Sequence, residues 1–219
     1  MIKAILFDLD GTLADTIEDL RESMNRMLTQ NGYPAQDRAG ILRAINYGAR
    51  KFVMRSLPND GEDLDEARID ELFACYQSIY SRNYMNRTVR YDGLLEAVRE
   101  LKAMGYRLAV LSNKQDEFVK KITEALYPGE FELVMGQSAF PTKPAPDAPL
   151  YIAGQLGCEP CEMAMVGDSH VDIKTGINAG MLPTAVTWGF CETQALAEAG
   201  ARVLIHTPEQ LVEFFRMFR

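Results

Sequence analysis

The chain has 219 residues, of which 47% are hydrophobic and 25% charged, and its formal net charge at pH 7 is −8. This excess of acidic residues argues against a nucleic acid or an anionic membrane surface as partner. An anionic small molecule is not excluded, because a metal ion or a lysine can dominate the field of one site. The longest apolar runs fall short of the ~18 residues of a membrane helix. Asp8 and Asp10 interrupt the early apolar stretch, so no signal peptide is predicted and a cytoplasmic location is expected.

Short apolar runs with β-branched residues recur along the chain and predict strands. Most of these runs are continuous rather than alternating, which is typical of strands buried on both faces of a parallel sheet. Amphipathic helical patterns lie between several of them, so the sequence predicts an α/β fold with a doubly wound, Rossmann-like parallel sheet. The predicted strands cover residues 4–7, 108–111, 133–135, 163–166, 184–187 and 203–205.

Residues 16–86 interrupt this alternation, because they carry amphipathic helical patterns and no convincing strand. The first of these helices is predicted to follow Thr16 as N-cap, with Asp19 three residues on as a capping-box-like partner. An all-helical stretch of this length is best explained as a separate small bundle. We therefore predict two domains, an α/β catalytic core made of residues 1–15 and 87–219, and a helical cap made of residues 16–86.

Unusual polar residues follow four of the predicted strands. Because parallel strands bring their carboxyl ends to one edge of a sheet, we expect these side chains to converge there. A cap or turn explains any one of them better than a site does, but their joint placement favours a site. They are Asp8 and Asp10 after the first strand, Ser112 and Asn113 after the second, Lys143 after the third, and Asp168 with Asp172 after the fourth.

This set of residues has a consistent chemistry. Three carboxylates at one edge, those of Asp8, Asp10 and Asp168, would repel one another unless a cation lies among them. Oxygen ligands without His or Cys favour Mg²⁺. Lys143 and the Ser112 hydroxyl are suited to bind the oxygens of a phosphoryl group. A carboxylate beside magnesium can attack phosphorus and form an aspartyl phosphate.

In this order, the chain carries the segments DLDGT, SN, a lysine directly before PAPD, and GDSHVD. These segments resemble the four ordered motifs of the haloacid dehalogenase superfamily, and the resemblance spans the whole chain. It implies a core of parallel strands with a helical cap inserted after the first motif. It also implies that Asp8 is the nucleophile and that Asp10 is first a general acid and then a general base.

The resemblance further implies the groups that bind phosphate and metal. Lys143 would be catalytic and would bind the phosphoryl group together with Ser112, with Asn113 beside them. The cofactor would be Mg²⁺. Its ligands would be the carboxylates of Asp8 and Asp168 and the backbone carbonyl of Asp10, with Asp172 in support.

The predicted substrate is a small phosphorylated metabolite. Dehalogenase and phosphonate-cleaving members of the superfamily lack the acid that Asp10 provides, so phosphoester chemistry is favoured. Arg50 and Lys51 in the cap are candidates to contact the substrate, although a solvated basic helix face explains each of them equally well. The segment that contains Arg50 and Lys51 and the segment around Trp188 resemble those of the phosphoglycolate phosphatases, so phosphoglycolate is the expected substrate.

Other functions stay open from the sequence. A phosphosugar mutase like β-phosphoglucomutase and a pyrophosphatase of the same superfamily would share all four motifs. From another class, a non-catalytic phosphate-binding regulatory module would keep the fold, but it would be expected to lack at least one of Asp8, Asp10, Lys143 and Asp168. The sequence leaves the oligomeric state undetermined.

Overall fold

The computed structural model describes residues 1–218 and contains eight strands and ten α-helices in that range. The strands are β1 (Ala4–Phe7), β2 (Ala14–Asp15), β3 (Val89–Arg90), β4 (Arg107–Gln115), β5 (Leu133–Gln137), β6 (Met163–Gly167), β7 (Leu182–Val186) and β8 (Val203–Ile205). The helices are α1 (Ile17–Gln30), α2 (Arg38–Ala44), α3 (Ala49–Ser56), α4 (Glu66–Asn83), α5 (Leu94–Ala103), α6 (Asp116–Leu126), α7 (Asp147–Gln155), α8 (His170–Ala179), α9 (Thr193–Glu198) and α10 (Pro208–Arg216).

Six of the strands form one parallel sheet with the order β5-β4-β1-β6-β7-β8. The chain builds one side of this sheet outward from β1 to β5 and then crosses to β6 on the other side of β1. This is the Rossmann-like order, so the predicted fold class is confirmed. Open sheets of this kind bind ligands beyond the carboxyl ends of the strands where the order reverses. In this sheet that place lies beside β1 and β6.

The core of the sheet explains why its strands read as continuous apolar runs. On one face, Leu6 of β1, Leu111 of β4 and Met165 of β6 pack in one cluster with Ile152 of α7. Burial of each such side chain contributes about 1.5–3 kcal/mol to folding. Packing of this sheet face against α7 therefore fixes the strands that carry the polar residues.

Strand β4 is longer than predicted. The sequence predicts a strand over residues 108–111, whereas β4 continues to Gln115. Its pairing with β5 shifts register between Leu111 and Gln115, where Gln115 pairs with Gln137. The polar residues of this stretch have low strand propensity, which made the strand appear to end early. Ser112 and Asn113 therefore lie inside the irregular last part of a strand and not in the loop after it.

Contacts between residues divide the chain into two units. One unit contains Met1–Asp15 and the residues from Arg90 onward, and the other contains Thr16–Val89. The first unit holds the six-stranded sheet. The second holds α1 to α4, and residues 16–85 form only helices, turns and irregular structure. The roles of catalytic core and cap, and the predicted boundary at residues 86 and 87, stay predictions.

The expected capping box at the start of α1 is wrong. Thr16 is the N-cap residue, but its side chain makes no capping hydrogen bond. The carboxylate of Asp19 instead accepts hydrogen bonds from the backbone N–H groups of Arg87, at 3.0 Å, and Thr88, at 2.9 Å, and from the Thr88 hydroxyl at 2.8 Å. Asp19 is buried, and these donors offset the cost of burying its charge. It ties the beginning of the helical unit to its end.

None of the helices within residues 1–218 is both long enough and apolar enough to span a membrane.

Candidate active site

Four charged side chains meet in the first unit at the carboxyl edge of the sheet. Asp8 directly follows β1, and Asp168 directly follows the neighbouring β6. Asp172 lies in the first turn of α8, and Lys143 lies in the loop between β5 and α7. Each residue is at most 5% exposed. The structure thus brings together four of the predicted site residues at the point where the strand order reverses.

Lys143 is the centre of this cluster. Its Nζ donates hydrogen bonds to Asp8 Oδ1 at 2.7 Å, to Asp172 Oδ1 at 2.6 Å and to the carbonyl oxygen of Leu111 at 3.0 Å. Burial disfavours the charged ammonium, but the charges of Asp172 and Asp8 outweigh burial and raise the pKa of Lys143 above its ordinary value. Lys143 therefore stays charged and holds two carboxylates at once.

Asp168 and Asp172 are oriented by neighbouring backbone and hydroxyl groups. Asp168 accepts hydrogen bonds from the Thr12 hydroxyl at 2.9 Å and from the backbone N–H of Phe190 at 2.7 Å. Asp172 Oδ2 accepts from the Ser169 hydroxyl at 2.6 Å and from its backbone N–H at 3.1 Å. Ser169, the N-cap of α8, and Asp172 form a capping box at the start of this helix, so Asp172 helps to cap the helix as well as to hold Lys143.

The cluster holds more negative than positive charge. Burial, together with the charge of Asp172, raises the pKa of Asp8 to about 7, and Lys143 offsets only part of this effect. Burial and the charges of Asp172 and Asp8 raise the pKa of Asp168 well above its ordinary value. One carboxylate oxygen from each of Asp8, Asp168 and Asp172 lies within 4.8 Å of the others. Three oxygen donors that repel one another in this way fit a hard divalent cation.

The turn after β1 needs glycine at position 11. Gly11 has φ +87°, and a Cβ built on it would lie 2.2 Å from Asp168 Oδ2. A side chain at this position would therefore displace the carboxylate of Asp168. The freedom of Gly11 allows the loop that carries Asp8 and Asp10 to pass directly against Asp168.

Asp10 is half-buried and lies outside the Lys143 cluster. Its Oδ1 accepts a hydrogen bond at 2.6 Å from Nζ of Lys114. No sequence pattern pointed to Lys114, although the residue directly follows Ser112 and Asn113 at the same sheet edge. The role of the Asp10 carbonyl as a metal ligand stays a prediction.

Ser112 and Asn113 are buried beside Lys143. The side chain of Asn113 donates to the backbone carbonyl of Lys143 at 3.0 Å and accepts from its backbone N–H at 2.8 Å. Asn113 therefore positions the loop that carries Lys143. The Ser112 hydroxyl accepts a hydrogen bond from the backbone N–H of Lys114 at 3.2 Å. Substrate binding by both residues stays a prediction.

The segment that follows β7 also contacts the site. Trp188 Nε1 donates a hydrogen bond to the carbonyl oxygen of Thr12 at 3.0 Å. A Cβ on Gly189 would lie 2.3 Å from the carbonyl oxygen of Gly11. Phe190 supplies the backbone N–H that binds Asp168. No physical role was predicted for this segment from the sequence, although it follows a strand at the same edge as the acidic residues.

Arg50 and Lys51 lie in the helical unit, at the start of α3. The guanidinium of Arg50 forms ion pairs with Asp70, at 3.0 Å, and with Glu66. Lys51 is exposed. Contact of either residue with a substrate stays a prediction.

Comparisons with known proteins agree with this fold. The model of the haloacid dehalogenase-like hydrolase family matches residues 5–186. A phosphoglycolate phosphatase of Mesorhizobium japonicum is 32% identical over 211 residues, which are 95% of this chain and 93% of that protein. A phosphoglycolate phosphatase of Haemophilus influenzae is 32% identical over 194 residues, which are 86% of this chain and 87% of that protein.

Solved structures show the same similarity in three dimensions. The crystal structure of a protein described as a predicted phosphoglycolate phosphatase from Haemophilus somnus 129pt superimposes with a TM-score of 0.89 at 27% identity, covering 100% of this chain and 98% of that one. The family match covers most of the chain. The chain therefore belongs to the haloacid dehalogenase-like hydrolases, as one of their phosphoric monoester hydrolases.

Proposed function

We propose that this protein is a Mg²⁺-dependent phosphatase that hydrolyses phosphoglycolate through an aspartyl phosphate formed on Asp8. The observation that carries this proposal is the buried cluster in which one ammonium group, that of Lys143, holds the carboxylates of Asp8 and Asp172 beside Asp168. Such a cluster can accept a divalent cation, which relieves its imbalance of charge, and the bound cation together with Lys143 then attracts an anionic phosphoryl group.

The metal ligands in this proposal are oxygen atoms. Asp8 and Asp168 would hold Mg²⁺ with their carboxylates, the backbone carbonyl of Asp10 would be a third ligand, and Asp172 would support them. When bound, the ion supplies positive charge that polarises the phosphoryl oxygens and reduces repulsion between nucleophile and substrate.

In the first half-reaction, an Asp8 carboxylate oxygen forms a bond to phosphorus as the bond between phosphorus and the ester oxygen breaks. The leaving oxygen takes a proton from Asp10. Lys143 orients Asp8 and, with Ser112, binds the transferred phosphoryl group. In the second half-reaction, the ionised Asp10 takes a proton from water, the water oxygen attacks phosphorus, and Asp8 is released together with inorganic phosphate.

The names of the relatives support phosphoglycolate as the substrate. This molecule carries a carboxylate in addition to its phosphate, so a cation is needed for its second anionic end. Arg50 and Lys51 keep that predicted role in the proposal.

A phosphate-release assay over a substrate panel tests the proposal. The panel contains phosphoglycolate, pyrophosphate, β-glucose 1-phosphate and a nucleoside monophosphate, each with Mg²⁺ and with EDTA. We expect the highest kcat/KM for phosphoglycolate and no release of phosphate in EDTA. Conversion of β-glucose 1-phosphate to glucose 6-phosphate in the presence of a bisphosphate activator would instead identify a mutase. Failure to turn over any compound would favour a regulatory module.

The pH dependence of metal binding gives a second test. The pKa of Asp8 is raised from 3.8 to about 7, so protons compete with the ion below that pH. A raised pKa in the folded state also means that metal-free protein loses stability as pH rises through this window. We therefore expect Mg²⁺ to increase the Tm more at pH 8 than at pH 5.5. Thermal melts in EDTA and in Mg²⁺ measure this difference, and an equal increase at both pH values would contradict the assignment.

A further inference from the structure

Lys114 forms a part-buried ion pair in the first unit, in addition to the ion pairs of the Lys143 cluster. Its side chain is 7% exposed, and its Nζ lies 2.6 Å from Oδ1 of Asp10, whose side chain is 16% exposed. Lysine is rarely this buried, because removing an ammonium group from water is costly unless a partner compensates. Here the compensating partner is Asp10, the carboxylate that the proposed mechanism uses for proton transfer.

The placement of Lys114 follows from the irregular end of β4. Phe7 of β1 pairs with Val110 of β4, so the loop after β1 and the end of β4 are neighbours. The register shift after Leu111 lies where the strand reaches that loop. From this stretch Asn113 binds the backbone of Lys143, while the side chain of Lys114 reaches Asp10.

Lys143 and Lys114 have different carboxylate partners. Lys143 contacts Asp8 and Asp172, whereas Lys114 contacts Asp10. The two carboxylates that lie two residues apart after β1 are therefore held by different ammonium groups. This separation matches their different proposed tasks, nucleophilic attack by Asp8 and proton transfer by Asp10.

We propose that Lys114 is a positioning residue that orients the ionised carboxylate of Asp10 for attack by water on the aspartyl phosphate. This inference rests on the proposed function, in which Asp10 acts as acid and then as base. An ammonium group binds a carboxylate much more strongly than a neutral carboxylic acid. Asp10 is ionised after it has given its proton to the leaving oxygen, so the contact with Lys114 orients it in the second half-reaction. Lys114 acts through Asp10 and has no part in the attack by Asp8.

Para-nitrophenyl phosphate with Mg²⁺ is the probe that separates the two half-reactions, because its leaving group departs without a proton. Rapid-quench experiments measure formation and decay of the phosphoenzyme in wild type and in Lys114→Met. We expect Lys114→Met to slow decay at least about tenfold and to change formation by less than about threefold. Phosphoenzyme then accumulates at steady state. Lys120→Met is the matched control. The side chain of Lys120 is 59% exposed, and its one ion pair within residues 1–218 is with the half-exposed side chain of Asp116.

A double mutant shows whether Lys114 acts through Asp10. In the Asp10→Asn background decay is already slow, and we expect Lys114→Met to slow it by less than a further factor of about two. A further large loss in that background, or a raised KM with unchanged decay, would assign Lys114 to phosphate binding and overturn the inference. If Lys114→Met showed the same rates of formation and decay as the wild type, the inference would be overturned while the proposed function would stand. Absence of phosphoenzyme in the wild type would overturn it together with the proposed function.

A readout without substrate or metal checks the ion pair itself. We expect Lys114→Met and Asp10→Asn to shift the Tm in EDTA non-additively, because either change already breaks the same contact. Additive shifts would overturn the pairing. Lys114→Gln, which keeps a polar side chain, is the second variant if far-UV circular dichroism shows that Lys114→Met is unfolded, and the same outcomes apply to it.

Discussion

The Asp8→Asn variant is expected to lose Mg²⁺-dependent phosphate release by at least about a thousandfold. An amide cannot replace a carboxylate as the nucleophile that forms the acyl phosphate. The amide also removes one negative charge from the proposed metal site. Initial-rate assays with phosphoglycolate on purified protein measure this loss, and Asp15→Asn, the same chemical change seven residues along the chain, is the control that should keep activity close to that of the wild type.

The same variant is expected to stay folded. The wild-type cluster holds three buried carboxylates and one ammonium group, and the pKa of Asp8 is raised to about 7 by this environment. The amide removes a charge that burial and Asp172 disfavour, while Lys143 keeps its contact with Asp172. Metal-free Asp8→Asn should therefore melt at pH 8 at a temperature no lower than the wild type. A folded variant that retains more than a tenth of wild-type turnover would contradict the role of Asp8 as nucleophile.

The sheet and the edge that carries the acidic residues could be predicted because both follow from local sequence patterns. Runs such as Ala4–Phe7 are apolar on every residue, which is typical of strands buried on both faces. The strand-helix alternation then implies parallel strands, and parallel strands place their carboxyl ends together. These steps alone predict that Asp8, Lys143 and Asp168 lie close together, without knowledge of any single contact.

The contacts that were missed join residues far apart in the chain. Asp19 looked like the partner of a local cap, but its donors are Arg87 and Thr88, and capping patterns cannot reveal a partner in another element. No local pattern marks Lys114, because the irregular extension of β4 is set by pairing with β5 and not by propensity. Gly189 is required by the nearby Gly11 carbonyl, which only the folded chain brings close.

Substitution of Lys143 by Met is expected to impair both stability and catalysis. The change leaves the carboxylates of Asp8 and Asp172 buried without their shared ammonium group, and breaking a buried ion pair in this way costs about 3–5 kcal/mol. Because Lys143 also orients the nucleophile and faces the phosphoryl group in the proposed mechanism, turnover should fall by about a hundredfold or more.

The loss of stability should depend on pH in a defined direction. The pKa of Asp8 is already raised to about 7 with Lys143 in place, and removal of the ammonium group raises it further. The folded variant therefore binds protons more tightly than the unfolded chain, so its stability is greatest at low pH and is lost as pH rises. Urea unfolding of metal-free protein should give a larger difference in free energy of unfolding between variant and wild type at pH 8 than at pH 5.5.

Lys120→Met is the control for this measurement. It removes an exposed lysine from a surface pair and should change the free energy of unfolding by no more than about 1 kcal/mol at either pH. A Lys143→Met variant as stable as the wild type at pH 8, or a greater loss at pH 5.5, would show that Lys143 does not compensate the buried carboxylates.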